Sequence, residues 1–188
     1  MNNTKKSYIV TYTGKKFNLL ELRLEDIDIR DIAHAGALQC RWTGHCKHHY
    51  SIDQHAYYCS FIGPDNEALE RLLHDASESY IGDMNRPLKH YTNAGDAYRR
   101  VEAPLQAMIY NAFGMGEHEP ASVKIADNAM LYAELEQLLP PIDREAMVAN
   151  NPLGNSTAAN IVIEEWSPAY AEKMFLQRFE QLYKERVN

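Results

Sequence analysis

The sequence lacks an excess of basic residues and any long hydrophobic run. Among its 188 residues, 19 are Lys or Arg and 26 are Asp or Glu, which gives a net charge of −7. Phosphate backbones require a basic surface, so this balance argues against binding to a nucleic acid polymer. No apolar stretch approaches a membrane span, and the polar first six residues lack the hydrophobic region of a signal peptide. We expect no membrane association.

Cysteine is also scarce. The three cysteines, Cys40, Cys46 and Cys59, are an odd number and include no CxxC pair. Such usage indicates reduced thiols rather than a disulfide framework. Together with the absence of a signal peptide, it predicts a cytoplasmic location.

Hydrophobic residues, by contrast, are present in the proportion of an ordinary globular protein, at 45% of the chain. The alternating residues 8–19, with Gly14 at their centre, predict a short β-hairpin. From about residue 24 the hydrophobic period becomes helical. The sequence therefore predicts one all-α domain over residues 1–188, with a hairpin at about 8–19 and a helical core at about 25–187.

Local signals predict where the helices begin and end. Ser51 and Asp65 are expected N-caps, Gly82 and Pro87 are expected to end the helix that follows Asp65, and Pro140 follows a later helix. The predicted helices cover about residues 24–40, 51–62, 65–82, 95–113, 122–139 and 167–187. Residues 150–155 are expected to form a loop, and residues 160–163 a strand or an extended segment.

Imidazoles and carboxylates recur on three of these helices. His55 lies on one helix, the adjacent His74 and Asp75 on the next, and Asp127 on a later one, beside small alanines. Two imidazoles and two carboxylates can surround one divalent cation and leave positions open for water and a phosphate oxygen. This mixed nitrogen and oxygen set suits Zn²⁺, Mn²⁺, Co²⁺ or Fe²⁺. Helical spacing also places Glu78 on the same face as His74 and Asp75.

Each element of this pattern has a structural alternative. A His-Asp pair is common in helices, His55 could be a hydrogen-bonded core histidine, and Glu78 could be a surface charge. A loop with His45 and the three residues Cys46, His48 and His49 could form a second metal site, although its spacing matches no standard zinc pattern. A polar loop without metal is the alternative there.

The ordered motifs resemble those of a known family. They are DIAHA at 31–35, CRWTGH at 40–45, YSIDQH at 50–55, LHDASESYIGD at 73–83, RPLK at 86–89 and KIAD at 124–127. From about residue 12 to residue 179, the chain resembles the HD-domain phosphohydrolases. The similar branch comprises the small bacterial 5′-deoxynucleotidases and the phage deoxyadenosine triphosphate triphosphohydrolases.

This resemblance implies a role for each motif residue. The implied metal ligands are His55, His74, Asp75 and Asp127, with Asp75 also part of the catalytic centre. Glu78 resembles the carboxylate that orients or deprotonates the attacking water. The residues that resemble phosphate-binding cations are Arg41, Lys89 and Lys124, and those that resemble the walls around the base are Trp42 and Pro87. One departure is that Gly44 leaves room where some phage relatives carry a bulky aliphatic residue.

The resemblance also implies a reaction. We expect a divalent metal, Zn²⁺, Co²⁺ or Mn²⁺, with Mg²⁺ at the substrate phosphates, and hydrolysis of 2′-deoxynucleotides, with deoxyadenosine triphosphate as the expected substrate. The alternatives are a broad 5′-deoxynucleotidase acting on monophosphates and a nucleotide sensor without turnover. A homo-oligomer is expected for this family. The apolar C-terminal helix could serve the core or an interface through Met174, Phe175, Phe179, Leu182 and Tyr183.

Overall fold

The fold, described by a computed structural model for residues 7–116, 118–141 and 159–187, begins with a hairpin. Strand β1 (Ile9–Val10) pairs antiparallel with strand β2 (Lys16–Phe17), and Gly14 between them adopts a φ of +84°. The predicted hairpin is confirmed. Both the backbone N–H and the hydroxyl of Thr13 donate to the Asp31 carboxylate, at 2.7 and 2.9 Å, which fastens the hairpin to the first helix.

Eight α-helices make up most of the described chain. They are α1 (Ile29–Leu38), α2 (Ile52–Cys59), α3 (Ala68–Leu72), α4 (Glu78–Ile81), α5 (Arg86–Tyr91), α6 (Asn93–Ala112), α7 (Ala121–Gln137) and α8 (Pro168–Val187). The all-α prediction is confirmed. No helix in the described part of the chain is long and apolar enough to cross a lipid bilayer.

The C-terminal helix α8 lies against α1, α2 and α3, and α7 lies against α2 and α3. Phe175, Phe179 and Leu182 of α8 are buried in the hydrophobic core, and Met174 and Tyr183 pack against its edge. The apolar face of α8 therefore serves the core. An assembly of several copies stays a prediction.

Two residues that were predicted to begin or end a helix have a different role in the structure. Ser51 caps α2 as expected by accepting a hydrogen bond from the N–H of Gln54. Asp65, however, makes no capping hydrogen bond and lies in a 3-10 turn that precedes α3. Pro87 lies in the first turn of α5 rather than at a helix end, because a proline there loses no intrahelical hydrogen bond. Gly82 does end α4, with a φ of +81°.

The single helix predicted for residues 65–82 is wrong in one respect that affects the site. Helix α3 ends at Leu72, α4 begins at Glu78, and His74 and Asp75 lie in the turn between them. The prediction that they share a helical face with Glu78 is therefore incorrect. The turn places the His74 and Asp75 side chains at the end of α3, where they face α2 and α7.

Residues 160–163 form no strand and run as irregular chain, while the loop predicted at 150–155 lies outside the described residues. A buried arginine, Arg71, connects several elements near the site. Its guanidinium donates to the carbonyl oxygens of Cys59 and Pro64, at 3.2 and 2.8 Å, and to the hydroxyl of Ser122 at 3.1 Å. These hydrogen bonds all go to uncharged oxygens, so within the described residues Arg71 fixes the end of α2 relative to α3 and α7 without a hydrogen bond to a carboxylate.

Candidate metal centre and pocket

Four donor atoms from three parts of the fold meet between α2, the α3–α4 turn and α7. Nε2 of His55 lies 3.3 Å from Nε2 of His74, 3.8 Å from Oδ2 of Asp75 and 3.5 Å from Oδ1 of Asp127. Nε2 of His74 lies 3.1 Å from Oδ2 of Asp75. The structure thus brings together the four residues predicted from the sequence.

The hydrogen bonds of the two imidazoles determine which ring nitrogen is free. Nδ1 of His74 lies 2.8 Å from the carbonyl oxygen of Arg71, and Nδ1 of His55 lies 2.5 Å from Oε1 of Glu134. A carbonyl can only accept, so Nδ1 of His74 carries the hydrogen, and a carboxylate imposes the same tautomer on His55. In the neutral rings both Nε2 atoms therefore present lone pairs to each other. A proton on one ring or a metal ion between them would remove this repulsion, and metal-binding histidines commonly donate Nδ1–H to an outer acceptor in the same way.

The charges around the imidazoles also favour a cation. Burial alone would lower the pKa of His74, but the adjacent Asp75 carboxylate raises it to about 9. Burial would likewise raise the pKa of Asp75, yet His74, His55 and Arg41 hold it well below the ordinary value. Asp75 is therefore charged at neutral pH. With a pKa of about 9, His74 carries a proton at neutral pH that pairs with the half-buried Asp75 carboxylate, and a divalent metal could take the place of this proton.

A thiol lies beside the same two imidazoles. Sγ of Cys59 is 3.4 Å from Nε2 of His55, and the donor atoms of His55, Cys59 and His74 all lie within 4.8 Å of one another. These three residues could hold a metal ion. The site therefore contains two overlapping donor sets that share both imidazoles, one completed by carboxylates and the other by Cys59.

A cavity of about 800 Å³ opens beside this centre. Asp75 and Asp127 form part of its wall, so two of the four candidate ligands face the cavity directly. The other residues singled out by the sequence also line it, namely Arg41, Trp42, Glu78, Pro87, Lys89 and Lys124. Its volume lies within the range of small-molecule sites, and a nucleotide falls within that size.

The three predicted phosphate-binding cations each have a carboxylate partner. Nη2 of Arg41 lies 3.3 Å from Oε2 of Glu134, Nζ of Lys89 lies 2.6 Å from Oε1 of Glu102, and Lys124 lies 2.9 Å from Asp127. Such pairs keep the cations in place on the cavity wall. Each ammonium has three donors and the guanidinium five, so these pairs leave donors for an anion.

Glu78 lies at the start of α4, on the cavity wall and buried. Burial and the neighbouring Asp75 carboxylate raise its pKa well above the ordinary value. Oε1 of Glu78 is 4.0 Å from Nζ of Lys89, whereas no described residue hydrogen-bonds to Oε2. One oxygen of the carboxyl group thus has no hydrogen-bond partner in the described part of the chain, and the raised pKa favours a role in proton transfer.

The loop that carries Trp42 has an unusual backbone. Trp42, Thr43 and Gly44 have φ values of +58°, +53° and +79°, in the left-handed region that side chains other than glycine rarely adopt. The indole N–H of Trp42 donates to Oε2 of Glu134 at 2.9 Å, which holds this loop against α7. A β carbon at Gly44 would meet nothing within 4 Å, so space is indeed open there.

Glu134 and Cys59 belong to the centre, but the sequence interpretation did not identify them. Glu134 is fully buried, and although burial alone would raise its pKa, Arg41 and His55 lower it, so the carboxylate is charged. A signal was available, since Glu134 lies seven residues after Asp127 and hence on the same face of α7. Cys59 likewise follows His55 by four residues on α2.

The alternative metal site in residues 45–49 does not form among the described residues. His48 and His49 bond to backbone carbonyls, Cys46 donates to the carbonyl oxygen of Arg41, and His45 lines the large cavity. Within the described chain, the one His, Cys, Asp or Glu group with such close donors is His55, Cys59 and His74. The three cysteines are free thiols, as expected.

Comparison with known proteins gives relatives of similar length. No family model matches the sequence. The chain is 34% identical over 176 residues to the "Uncharacterized protein YfdR" of Escherichia coli (strain K12), a match that covers 94% of this chain and 96% of that protein. It is 31% identical over 147 residues to an uncharacterized protein of Rhodobacter capsulatus, a match that covers 71% of this chain and 74% of the relative.

Proposed function

We propose that this chain, which belongs to the family of the Escherichia coli protein YfdR, is a metal-dependent phosphohydrolase that acts on 2′-deoxynucleotides. The observation that carries the proposal is the position of Asp75 and Asp127, two of the four candidate metal ligands, on the wall of a nucleotide-sized cavity that also presents three cations. The resemblance of the sequence motifs to HD-domain phosphohydrolases supports the same reaction.

His55, His74, Asp75 and Asp127 would hold the metal. Their closest donor distances of 3.1–3.8 Å are those expected between ligands that share one transition-metal ion. A bound divalent cation there would lower the pKa of water and polarise a phosphoryl oxygen. We propose Zn²⁺, Co²⁺ or Mn²⁺ in this position, with Mg²⁺ neutralising the substrate phosphates.

Glu78 has the position of a general base. In this proposal its carboxylate orients the attacking water and accepts its proton, since the carboxyl lies on the cavity wall beside Asp75 and has a raised pKa. Lys89, 4.0 Å from Glu78, helps to keep part of the population ionised. The proton on Glu78 can then pass to the leaving oxygen.

The cations and the aromatic loop would bind the two ends of the nucleotide. Lys89 and Lys124 supply point charges to the phosphates, and Arg41 adds a planar guanidinium fork. Trp42 offers a flat surface on which a base can stack, with Pro87 on the same cavity wall. On the resemblance of this pair to the purine clamp of the phage enzymes, we propose deoxyadenosine nucleotides as the preferred substrates, with deoxyadenosine triphosphate hydrolysed to deoxyadenosine and triphosphate. The free thiols are compatible with a cytoplasmic location for this activity.

A product analysis tests the proposal. The purified chain is loaded with Zn²⁺, Co²⁺ or Mn²⁺, incubated with mono- and triphosphates of the four deoxynucleosides and of adenosine, and the products are separated. We expect triphosphate release from deoxyadenosine triphosphate by the wild type and loss of at least about 100-fold of the rate in Glu78→Gln, the typical range for a general base. Glu136→Gln, at an exposed position on α7, is the matched control.

The products also separate the alternatives. Release of orthophosphate from every deoxynucleoside monophosphate would replace the triphosphohydrolase with a broad 5′-deoxynucleotidase. If no metal supports release of any phosphate species, while nucleotide binding is measurable by calorimetry, the hydrolase proposal is wrong and a nucleotide sensor takes its place.

A further inference from the structure

Cys59 lies on the protein side of the metal centre. It follows His55 by one helical turn on α2, so the two side chains project from the same face of the helix. The residue is 1% exposed, and its Sγ lies 3.4 Å from Nε2 of His55. The thiol is thus directed at the nitrogen lone pair that the Glu134 hydrogen bond leaves free.

The distances around Cys59 match those of a shared ion. With metal–nitrogen and metal–sulfur bonds of roughly 2.0 and 2.3 Å at tetrahedral angles, two nitrogens lie about 3.3 Å apart and a nitrogen lies about 3.5 Å from a sulfur. The two Nε2 atoms of His55 and His74 are 3.3 Å apart, and the nitrogen–sulfur distance is 3.4 Å. Two edges of this triangle therefore match those of a tetrahedral site, and the third, between Cys59 and His74, lies within 4.8 Å.

We propose that the Cys59 thiolate binds the same cation as His55 and His74 and makes the site selective for Zn²⁺ or Co²⁺ over Mg²⁺ and Mn²⁺. On binding, the S–H bond breaks, a sulfur–metal bond forms, and the proton passes to solvent. Thiolate is a soft ligand that favours Zn²⁺, whereas Mg²⁺ and Mn²⁺ prefer oxygen ligands. The inference rests on the metal site of the proposed function but not on its phosphate chemistry.

Cobalt substitution tests the assignment directly. The full-length apoprotein is titrated with Co²⁺, and binding is followed by the visible d–d bands and by metal analysis. We expect a near-ultraviolet thiolate-to-cobalt charge-transfer band that saturates at one equivalent. The band should disappear in Cys59→Ser and Cys59→Ala and persist in Cys46→Ala, which removes another part-buried thiol. A wild-type protein that binds Co²⁺ without this band overturns the proposal, as does a band that survives in Cys59→Ser.

A competition measurement tests the selectivity. Zn²⁺ and Mn²⁺ affinities of the wild type and of Cys59→Ser are compared by calorimetry, with circular dichroism to select variants that retain the helical fold. Loss of Cys59 should weaken the Zn²⁺ affinity by at least the roughly 10- to 100-fold that loss of an outer-shell partner costs. The Mn²⁺ affinity should stay nearly unchanged. Equal losses for both ions, or none, contradict the proposal. Because neither readout involves turnover, a protein that shows the band but hydrolyses no nucleotide keeps the ligand assignment and loses only the proposed function.

Discussion

Oε1 of Glu134 lies 2.5 Å from Nδ1 of His55, and Oε2 of the same carboxylate accepts the indole N–H of Trp42 at 2.9 Å. One buried group therefore orients an imidazole of the candidate metal centre and holds the loop that lines the cavity. Arg41, within 3.4 Å of the same Oε2, neutralises its charge. The tautomer of His55 and the position of Trp42 thus depend on a single side chain of α7.

Replacing Glu134 should weaken both metal binding and the loop. In Glu134→Gln the amide can no longer impose the Nδ1–H tautomer, so we expect a loss of about 10- to 100-fold in Zn²⁺ affinity by calorimetry. The fluorescence of Trp42 should change in the same variant, because the side chain that accepts its indole N–H no longer carries a negative charge. Glu136→Gln is the control. A variant with unaltered Zn²⁺ affinity would show that the His55–Glu134 hydrogen bond does not tune the site.

Gly36 of α1 is expected to tolerate no side chain. A β carbon at this position would overlap the buried Asp53 carboxylate of α2. Alanine normally stabilises a helix by about 1 kcal/mol relative to glycine, but overpacking costs about 1–3 kcal/mol, so Gly36→Ala should lower the free energy of unfolding. Denaturant titration measures it. Gly116→Ala, where the added carbon meets nothing within 4 Å, is the control, and equal stability of the two variants contradicts the prediction.

Thr43 is expected to be a strained position in the Trp42 loop. A β-branched residue at a φ of +53° costs roughly 1–2 kcal/mol, whereas asparagine tolerates this region. Thr43→Asn should therefore raise the free energy of unfolding by about 1 kcal/mol. Thr92→Asn, at the N-cap of α6 with a φ of −138°, should show a smaller gain, because only the capping side chain changes there and no strain is relieved. A Thr43→Asn protein no more stable than the wild type would mean that the loop relaxes without strain.

Asp28 should contribute stability that depends on pH. It caps α1 by accepting from the N–H of Arg30, and hydrogen bonds from Arg30 lower its pKa from 3.8 to about 2. Because the folded-state pKa is depressed, the contribution is complete above about pH 4 and disappears as the pH falls through about 2. Asp28→Ala should cost about 1 kcal/mol at neutral pH.

Asp28→Asn keeps the cap but loses the ion pair with Arg30, so it should recover only part of that loss. Thermal melts between pH 2 and pH 7 separate the effect of the helix cap from that of the ionised carboxylate. The wild type and Asp28→Ala should converge at the acidic end, and a constant difference between them across the whole range would rule out the ionised carboxylate as the source.

Local signals in the sequence predicted much of the fold. The hairpin at Gly14, the Ser51 cap and the approximate bounds of α6, α7 and α8 depend on neighbours within a few residues, so they could be identified without tertiary information. The break between α3 and α4 could not be. No glycine or proline interrupts residues 68–81, and the turn at His74 and Asp75 depends on packing against α2 and α7, which overrides local helical preference.

The candidate site could likewise be predicted only where its residues follow a pattern along the chain. His55, His74, Asp75 and Asp127 follow an ordered pattern that can be recognised along the chain. Glu134 contacts His55 across 79 positions of sequence, a pairing that only helix packing creates. The four-residue spacing of Cys59 from His55 places both on one face of α2, but a single cysteine matches no standard ligand pattern from which to infer a metal site.

The buried Arg71 bears on how mutational surveys of this protein should be interpreted. The Arg71 guanidinium joins the end of α2 to the start of α7, and the backbone carbonyl oxygen of Arg71 fixes the tautomer of His74. A carbonyl belongs to the backbone and survives any substitution, but its position depends on the side chain that anchors it. Selection for folded protein alone would therefore already exclude changes at Arg71. Intolerance there in an activity screen would not by itself identify a catalytic residue.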